Sequence, residues 1–120
     1  MNTKLDKILA EISAGELIDK ITILEIKKLK ITNKNKLIEI EKELLSLIET
    51  KKKFISDETE IIQFQIKLKN VNLKLWDIED GKRLAEKKND FNENFIELAR
   101  NVYKYNDERA KIKLAINNAL

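Results

Sequence analysis

The chain has 120 residues and a net charge of +3, and it contains no cysteine and no histidine. These two absences exclude disulfides and thiol catalysis, and they remove the commonest metal ligand and the usual general base near neutral pH. With no proline, two glycines, 38% charged and 42% hydrophobic residues, the composition predicts few, long amphipathic helices. We therefore expect an all-α protein without a metal or a cofactor.

The chain opens with a short amphipathic segment over residues 3–12, in which Leu5, Ile8 and Ile12 have helical spacing. This opening lacks the apolar core of a signal peptide. No apolar run in the sequence approaches the ~20 residues that span a bilayer. The sequence thus predicts a cytoplasmic protein without a membrane segment.

Helices one and two are expected over residues 13–31 and 35–54. Ser13 followed by Glu16 is typical of a capping box, in which each side chain bonds the other's main-chain amide. The apolar residues of helix one occupy more than one face, which indicates the central helix of the fold. Helix two carries a seam spaced three and four residues apart that ends at Phe54.

Helices three and four are expected over residues 57–88 and 90–118, and Asp90 is the predicted N-cap of the fourth. Their apolar seams also alternate three and four apart, which favours near-antiparallel packing with short loops. We predict one helical domain over residues 1–120. Its predicted architecture is an antiparallel four-helix bundle of two helical hairpins, the second (helices three and four) longer.

The longer hairpin is expected to extend ~15 Å beyond the first, at ~1.5 Å per helical residue. This overhang contains Leu84, Phe91 and Phe95, which need cover from water. A second copy of the chain would supply it, and so a homodimer is the leading expectation. Alternatively, the opening segment folds over these residues, or Gly81 bends the hairpin.

Polar residues that could hydrogen-bond across one interface gather where helices three and four face each other. Antiparallel partners there should have residue numbers that sum to roughly 180, which places Trp76 level with Tyr103 and Glu79 level with Arg100. The predicted cluster consists of Asn72, Trp76, Glu79, Asp80, Arg83, Arg100, Tyr103, Asn106, Asp107 and Arg109. Asp19, Lys20 and Thr22 of helix one could join it.

The arginines of the cluster leave two interpretations open. Arg109 lies in the apolar seam of helix four, and a buried arginine needs a carboxylate partner. In the structural interpretation the cluster is a set of satisfied ion pairs that fix helix register. In the functional one the arginines bind a small anion between Trp76 and Tyr103. Adjacent helix positions such as Glu79 and Asp80 point ~100° apart, which disfavours acid–base catalysis.

Nucleic-acid binding is disfavoured by the distribution of charge. The densest basic run is Lys51–Lys53, and no aromatic residue is interleaved with it. Nucleic-acid-binding surfaces usually combine a concentrated basic stripe with aromatic side chains. The lysines are therefore interpreted as solvated helix faces.

Three segments of the chain resemble a family of short bacterial and phage proteins of unknown function. They are residues 13–27, 75–86 and 95–117, and they include Leu-Trp-Asp-Ile-Glu-Asp at 75–80 and Ala-Arg-Asn-Val-Tyr at 99–103. Gly81 and Lys82 depart from the family's pattern. The resemblance implies that the polar cluster lies in the signature region of the family, and it implies no activity, substrate or cofactor.

Two functions are compatible with these observations. The first is a non-enzymatic module for oligomerisation, or for binding an unidentified protein partner. The second is a binder of, or an enzyme acting on, a small anionic metabolite at the polar cluster.

Overall fold

A computed structural model describes residues 7–120, which form four α-helices and no strand. The helices are α1 (Ala14–Lys30), α2 (Lys34–Phe54), α3 (Thr59–Lys88) and α4 (Glu93–Ala119). The all-α class predicted from the sequence is confirmed. None of these helices is long and apolar enough to cross a membrane.

Local signals at the helix ends explain most of these boundaries. The Ser13 hydroxyl accepts a hydrogen bond from the Glu16 amide at 3.1 Å, and the Asn33 side chain caps the start of α2 in the same way. Asn89 ends α3 in the left-handed conformation, which asparagine tolerates better than most residues. The predicted cap of α4 was wrong, since the helix begins three residues later and Asn92 accepts the Asn94 amide at 3.0 Å.

Helix α1 packs against each of the other three helices, as its apolar residues on more than one face predict. Helices α3 and α4 pack along each other. Among the described helices, α2 packs closely against α1 alone. The core is built of large aliphatic side chains from all four helices and from the turn after α2. Its buried members are Leu17, Ile18, Ile21, Leu24, Ile40, Leu44, Ile55, Ile61, Leu68 and Ile116.

The end of α2 differs from the sequence prediction. Phe54 was expected on the buried seam, but its side chain is 79% exposed. The helix ends at Phe54. The backbone at Ile55 is extended, and it directs the side chain of Ile55, instead of that of Phe54, into the core. The change from a helical to an extended period at a C-cap shifts the buried position by one residue.

The opening segment lies only partly within the described residues, since residues 1–6 fall outside them. Residues 7–12 are not helical and are exposed, and Leu9 is 95% exposed. The described part of this segment therefore does not cover the far end of α3 and α4. Gly81 lies inside an uninterrupted α3, so the helix does not end there.

Candidate functional site

The start of α1 lies unusually close to the last turns of α4. A Cβ atom added at Gly15 would lie 2.4 Å from the main-chain oxygen of Lys113, closer than real contacts allow. The Gly15 amide also donates a hydrogen bond to Asn117 Oδ1 at 2.7 Å. Only glycine permits this approach, which fixes the position of the first turn of α1 against α4.

One turn further along α1, the buried carboxylate of Asp19 joins three helices. Its Oδ1 accepts from Asn72 Nδ2 of α3 at 2.9 Å and from Arg109 Nε of α4 at 3.0 Å. Its Oδ2 accepts from Arg109 Nη2 at 2.5 Å, so that the guanidinium binds the carboxylate through two parallel bonds. Asp19 is the carboxylate partner that burial of Arg109 requires.

Thr22 completes the environment of Asn72. The Thr22 hydroxyl donates to the main-chain oxygen of Asp19 at 2.8 Å and accepts from Asn72 Nδ2 at 2.9 Å. Both hydrogens of the Asn72 amide group therefore bond to α1. Because an ionised carboxylate only accepts hydrogen bonds, the amide atom that faces Asp19 must be the nitrogen. We call Asp19, Thr22, Asn72 and Arg109 the buried network.

A second ion pair between α1 and α4 flanks the buried network. Lys113 Nζ donates to Glu16 Oε2 at 2.6 Å and lies 3.7 Å from Asp19 Oδ2. Two acidic residues of α1 thus face two basic residues of α4, and their charges balance. Lys20, which the sequence suggested as a further member of the cluster, is on the exposed side of α1.

The network determines the ionisation of Asp19. Burial raises the pKa of its carboxyl, but the hydrogen bonds from Arg109 and Asn72, with the charges of Arg109 and Lys113, outweigh burial, so that the pKa lies below its usual value. The hydrogen bond to Asp19 likewise raises the pKa of Arg109, against an opposing effect of burial. Both groups are charged at neutral pH.

This ionisation predicts a specific pH dependence of stability. Because the folded-state pKa of Asp19 is lowered, the ion pair stabilises the fold above the unfolded-state pKa of about 3.9, and the contribution is lost as the pH falls through the folded-state pKa. We expect the difference in free energy of unfolding between the wild type and Asp19→Asn to shrink as the pH is lowered from about 6 to 3. Urea titrations of both proteins measure it, and a difference that grows toward low pH would be inconsistent with this assignment.

Seven residues of the cluster predicted from the sequence line one open groove between α1, α3 and α4. The groove has a volume of about 280 Å³, and Ile23, Ile26 and Leu75 supply its apolar walls. The seven predicted residues that line it are Asn72, Trp76, Glu79, Asp80, Arg83, Asn106 and Arg109. We call it the Trp76 groove.

The other three predicted residues do not line the Trp76 groove. Arg100 lies on α4 beside Glu93 and Glu97, and Tyr103 and Asp107 are exposed. The expected pairing of Arg100 with the acids of α3 is replaced by contacts within α3. Glu79 lies 3.6 Å from Lys82, and Asp80 lies 3.7 Å from Arg83, both pairs three residues apart on the helix.

The four residues of the buried network carried a sequence signal, whereas two residues of α4 that contact the start of α1 did not. The apolar seam around Arg109 indicated burial and the need for an acid, and Asp19 and Thr22 were candidates. Nothing in the sequence indicated that Lys113 and Asn117 contact the start of α1, about 100 residues away. Among residues 7–120 no group of acidic side chains is arranged to hold a metal ion.

Comparison with known proteins places the chain among relatives without a known role. A model of a family of unknown function (DUF6165) matches residues 8–120. The chain belongs to this family. No curated protein and no solved structure matches the chain. Membership thus confirms the resemblance to a family of unknown function and assigns no activity.

Proposed function

We propose that the chain is a non-enzymatic interaction module that forms a homodimer through the far end of α3 and α4. We call residues 84–98 the distal hairpin. The observation that carries the proposal is that Leu84, Phe91 and Ile96 are each about half exposed there. Apolar side chains grouped at one end of a small protein favour burial against a partner.

The extent of α1 supports this choice of surface. Helices α3 and α4 run side by side, with Leu98 against Gly81 and Lys74 over the ring of Tyr105, which favours an antiparallel hairpin. The α1 residues Ile23 and Ile26 share the Trp76 groove, whose lining on α3 reaches Arg83. The last residue of α1, Lys30, lies 3.8 Å from Asp77 of α3, which comes before the start of the distal hairpin at residue 84.

The aromatic pair at the tip favours a specific rather than a nonspecific apolar contact. The rings of Phe91 and Phe95 meet edge to face, with centroids 5.1 Å apart and an angle of 86° between their planes. This arrangement holds both rings in place before any partner binds. Preorganised aromatic side chains are enriched at the centres of protein interfaces, because little entropy is lost when they are buried.

The charges of the distal hairpin favour a second copy of the chain as the partner. On the α3 side of the distal hairpin Lys87 and Lys88 outnumber Glu86, whereas Asp90, Glu93 and Glu97 make the turn and the start of α4 acidic. In a twofold dimer whose protomers pack antiparallel, the α3 side of one protomer would lie against the α4 side of the other. Opposite charges would then surround the apolar centre on both sides, which steers association and selects the partner.

The ionisation of the polar residues supports a role without catalysis. A catalytic acid or base needs a pKa close to neutral, whereas the pKa of the buried Asp19 carboxyl is lowered. Glu79 and Asp80 each lie near a basic residue of the same helix. The buried network therefore acts as a structural link between helices.

Substitution at the centre of the surface tests the proposal. We expect the wild type to be a dimer at about 10 μM. Leu84→Asp should raise the dissociation constant of the dimer at least about 100-fold, because the interface would bury an unpaired charge. Leu45→Asp is the matched control, since Leu45 is an exposed leucine of α2 away from this end. Sedimentation equilibrium measures all three proteins. A monomeric wild type, or equal weakening by Leu45→Asp, would refute the proposal.

A further inference from the structure

An open apolar pit lies at the corner between the end of α1 and the start of α2. The residues that line it are Lys27, Ile31, Asn35, Lys36, Glu39 and Ile40. The aliphatic stems of the two lysines join the two isoleucines, so that the surface of the pit is mainly apolar. Its volume of about 480 Å³ is ample for one aromatic side chain. We call it the corner pit.

The rim of the corner pit carries a surplus of positive charge. Residues 27–36, which lead from α1 into α2, contain five lysines and no acidic residue. Two of these lysines pair with acids of α2 and α3. The other three, Lys27, Lys34 and Lys36, form no ion pair with any residue between 7 and 120. Glu39 is the single acid of the lining, and so the pit favours an acidic partner.

The tip of the distal hairpin has the complementary character on its α4 side. Asp90, Phe91 and Glu93 follow the left-handed residue Asn89, at which α3 ends. Phe91 is 49% exposed and lies in sequence between the two acids, neither of which forms an ion pair within the described part of the chain. The lysines at the end of α3 precede this turn and belong to the other helix. An exposed aromatic ring flanked by acids matches an apolar pit with a basic rim.

The lengths of the helices bring these two surfaces together in a dimer. Lys30, the last residue of α1, lies 3.8 Å from Asp77, and α3 continues about 16 Å past this contact to Lys88. The distal hairpin therefore projects as a step beyond the corner between α1 and α2. When two such hairpins pack side by side and antiparallel, the tip of each reaches the step of the other, and the twofold axis makes this contact twice.

We propose that Phe91 of one copy enters the corner pit of a second copy, with Asp90 and Glu93 against Lys34 and Lys36. This contact rests on the homodimer proposed above, and it identifies the surface that the distal hairpin meets on the second copy. The acids of the tip and the lysines of the pit attract each other across the dimer interface. Such complementary charges speed association and fix the register of the two protomers.

Charge reversal on both sides of the contact tests it. Lys36→Glu and Asp90→Lys should each raise the dissociation constant of the dimer about tenfold, because each places like charges against each other. The double variant restores opposite charges, and its dissociation constant should lie within about threefold of the wild-type value. An acid near the start of α2 interacts favourably with the helix dipole, so Lys36→Glu keeps the fold. Sedimentation equilibrium measures the dissociation constants.

The matched control is Lys53→Glu, which makes the same change on an exposed lysine at the other end of α2 and should leave the dissociation constant unchanged. If Leu84→Asp weakens the dimer but Lys36→Glu acts no more strongly than Lys53→Glu, the homodimer stands and the corner pit is not part of it. A double variant as weak as the sum of the two single variants also overturns the contact. A monomeric wild type overturns both the contact and the homodimer.

A mixed disulfide between two copies locates the contact directly, since the chain has no cysteine of its own. Lys36→Cys protein mixed with Asp90→Cys protein should form the mixed disulfide much faster under mild oxidation than Lys53→Cys protein mixed with Asp90→Cys protein. Equal rates for the two mixtures would show that the tip does not lie at the corner pit, even where the protein remains a dimer.

Discussion

Asp19→Ala should lower the free energy of unfolding by about 3 kcal/mol, the lower end of the cost of breaking a buried ion pair. The substitution removes the acceptor of three hydrogen bonds, so that Arg109 loses its carboxylate and Asn72 keeps only Thr22 as a partner. The side chain of Arg109 remains 30% exposed, and water therefore recovers part of the loss. Chemical denaturation monitored by circular dichroism measures the change.

Two further variants separate the ion pair from general damage to α1. Asp77→Ala removes an exposed carboxylate that lies 3.8 Å from Lys30, and it should cost less than about 1 kcal/mol. Combining Asp19→Ala with Arg109→Met should recover part of the loss, because no unpaired cation remains. A double variant as unstable as the sum of the two single variants would show that Asp19 and Arg109 are not coupled.

Gly15→Ala should destabilise the protein by about 2 kcal/mol, although alanine is the better helix former. The added Cβ would lie 2.4 Å from the main-chain oxygen of Lys113, and a backbone atom cannot move away without shifting α4. Such a shift also strains the hydrogen bond from the Gly15 amide to Asn117. Thermal unfolding of the variant measures the effect.

Gly81→Ala is the matched control, because it makes the same change inside α3. Its Cβ would lie 3.1 Å from a methyl group of Leu98, a side-chain end on a partly exposed stretch of α4 that can move aside. We expect a neutral or slightly stabilising effect, since alanine gains up to about 1 kcal/mol of helix propensity over glycine. If Gly15→Ala and Gly81→Ala lower the stability by the same amount, the close approach of α1 to α4 is not the reason that position 15 requires glycine.

Local signals in the sequence predict much of this fold. The Ser13 cap, the break at Asn33 and the seam of α3 around Leu68 all depend on residues close in sequence, and the structure has each of them. Prediction failed where two local signals compete. Both Asp90 and Asn92 are good N-caps, and only the path of the turn after Asn89 selects the second.

The site was predicted less completely for a geometric reason. The register of α3 and α4 shows which residues are level, but not in which direction each side chain points around its helix. Arg100 was expected level with Glu79, and Tyr103 level with Trp76, but both side chains are exposed on α4. The contact between Asp19 and Arg109 spans 90 residues and depends on how three helices pack together, which no local pattern encodes.

Cross-linking between protomers tests the proposed homodimer most directly, because the chain has no cysteine of its own. Lys88→Cys places a thiol at the end of α3, within the distal hairpin, and Lys36→Cys places one near the start of α2. Under mild oxidation we predict a covalent dimer from Lys88→Cys at a rate far above that of Lys36→Cys. Equal rates, or a dimer formed mainly by Lys36→Cys, would contradict association through the distal hairpin.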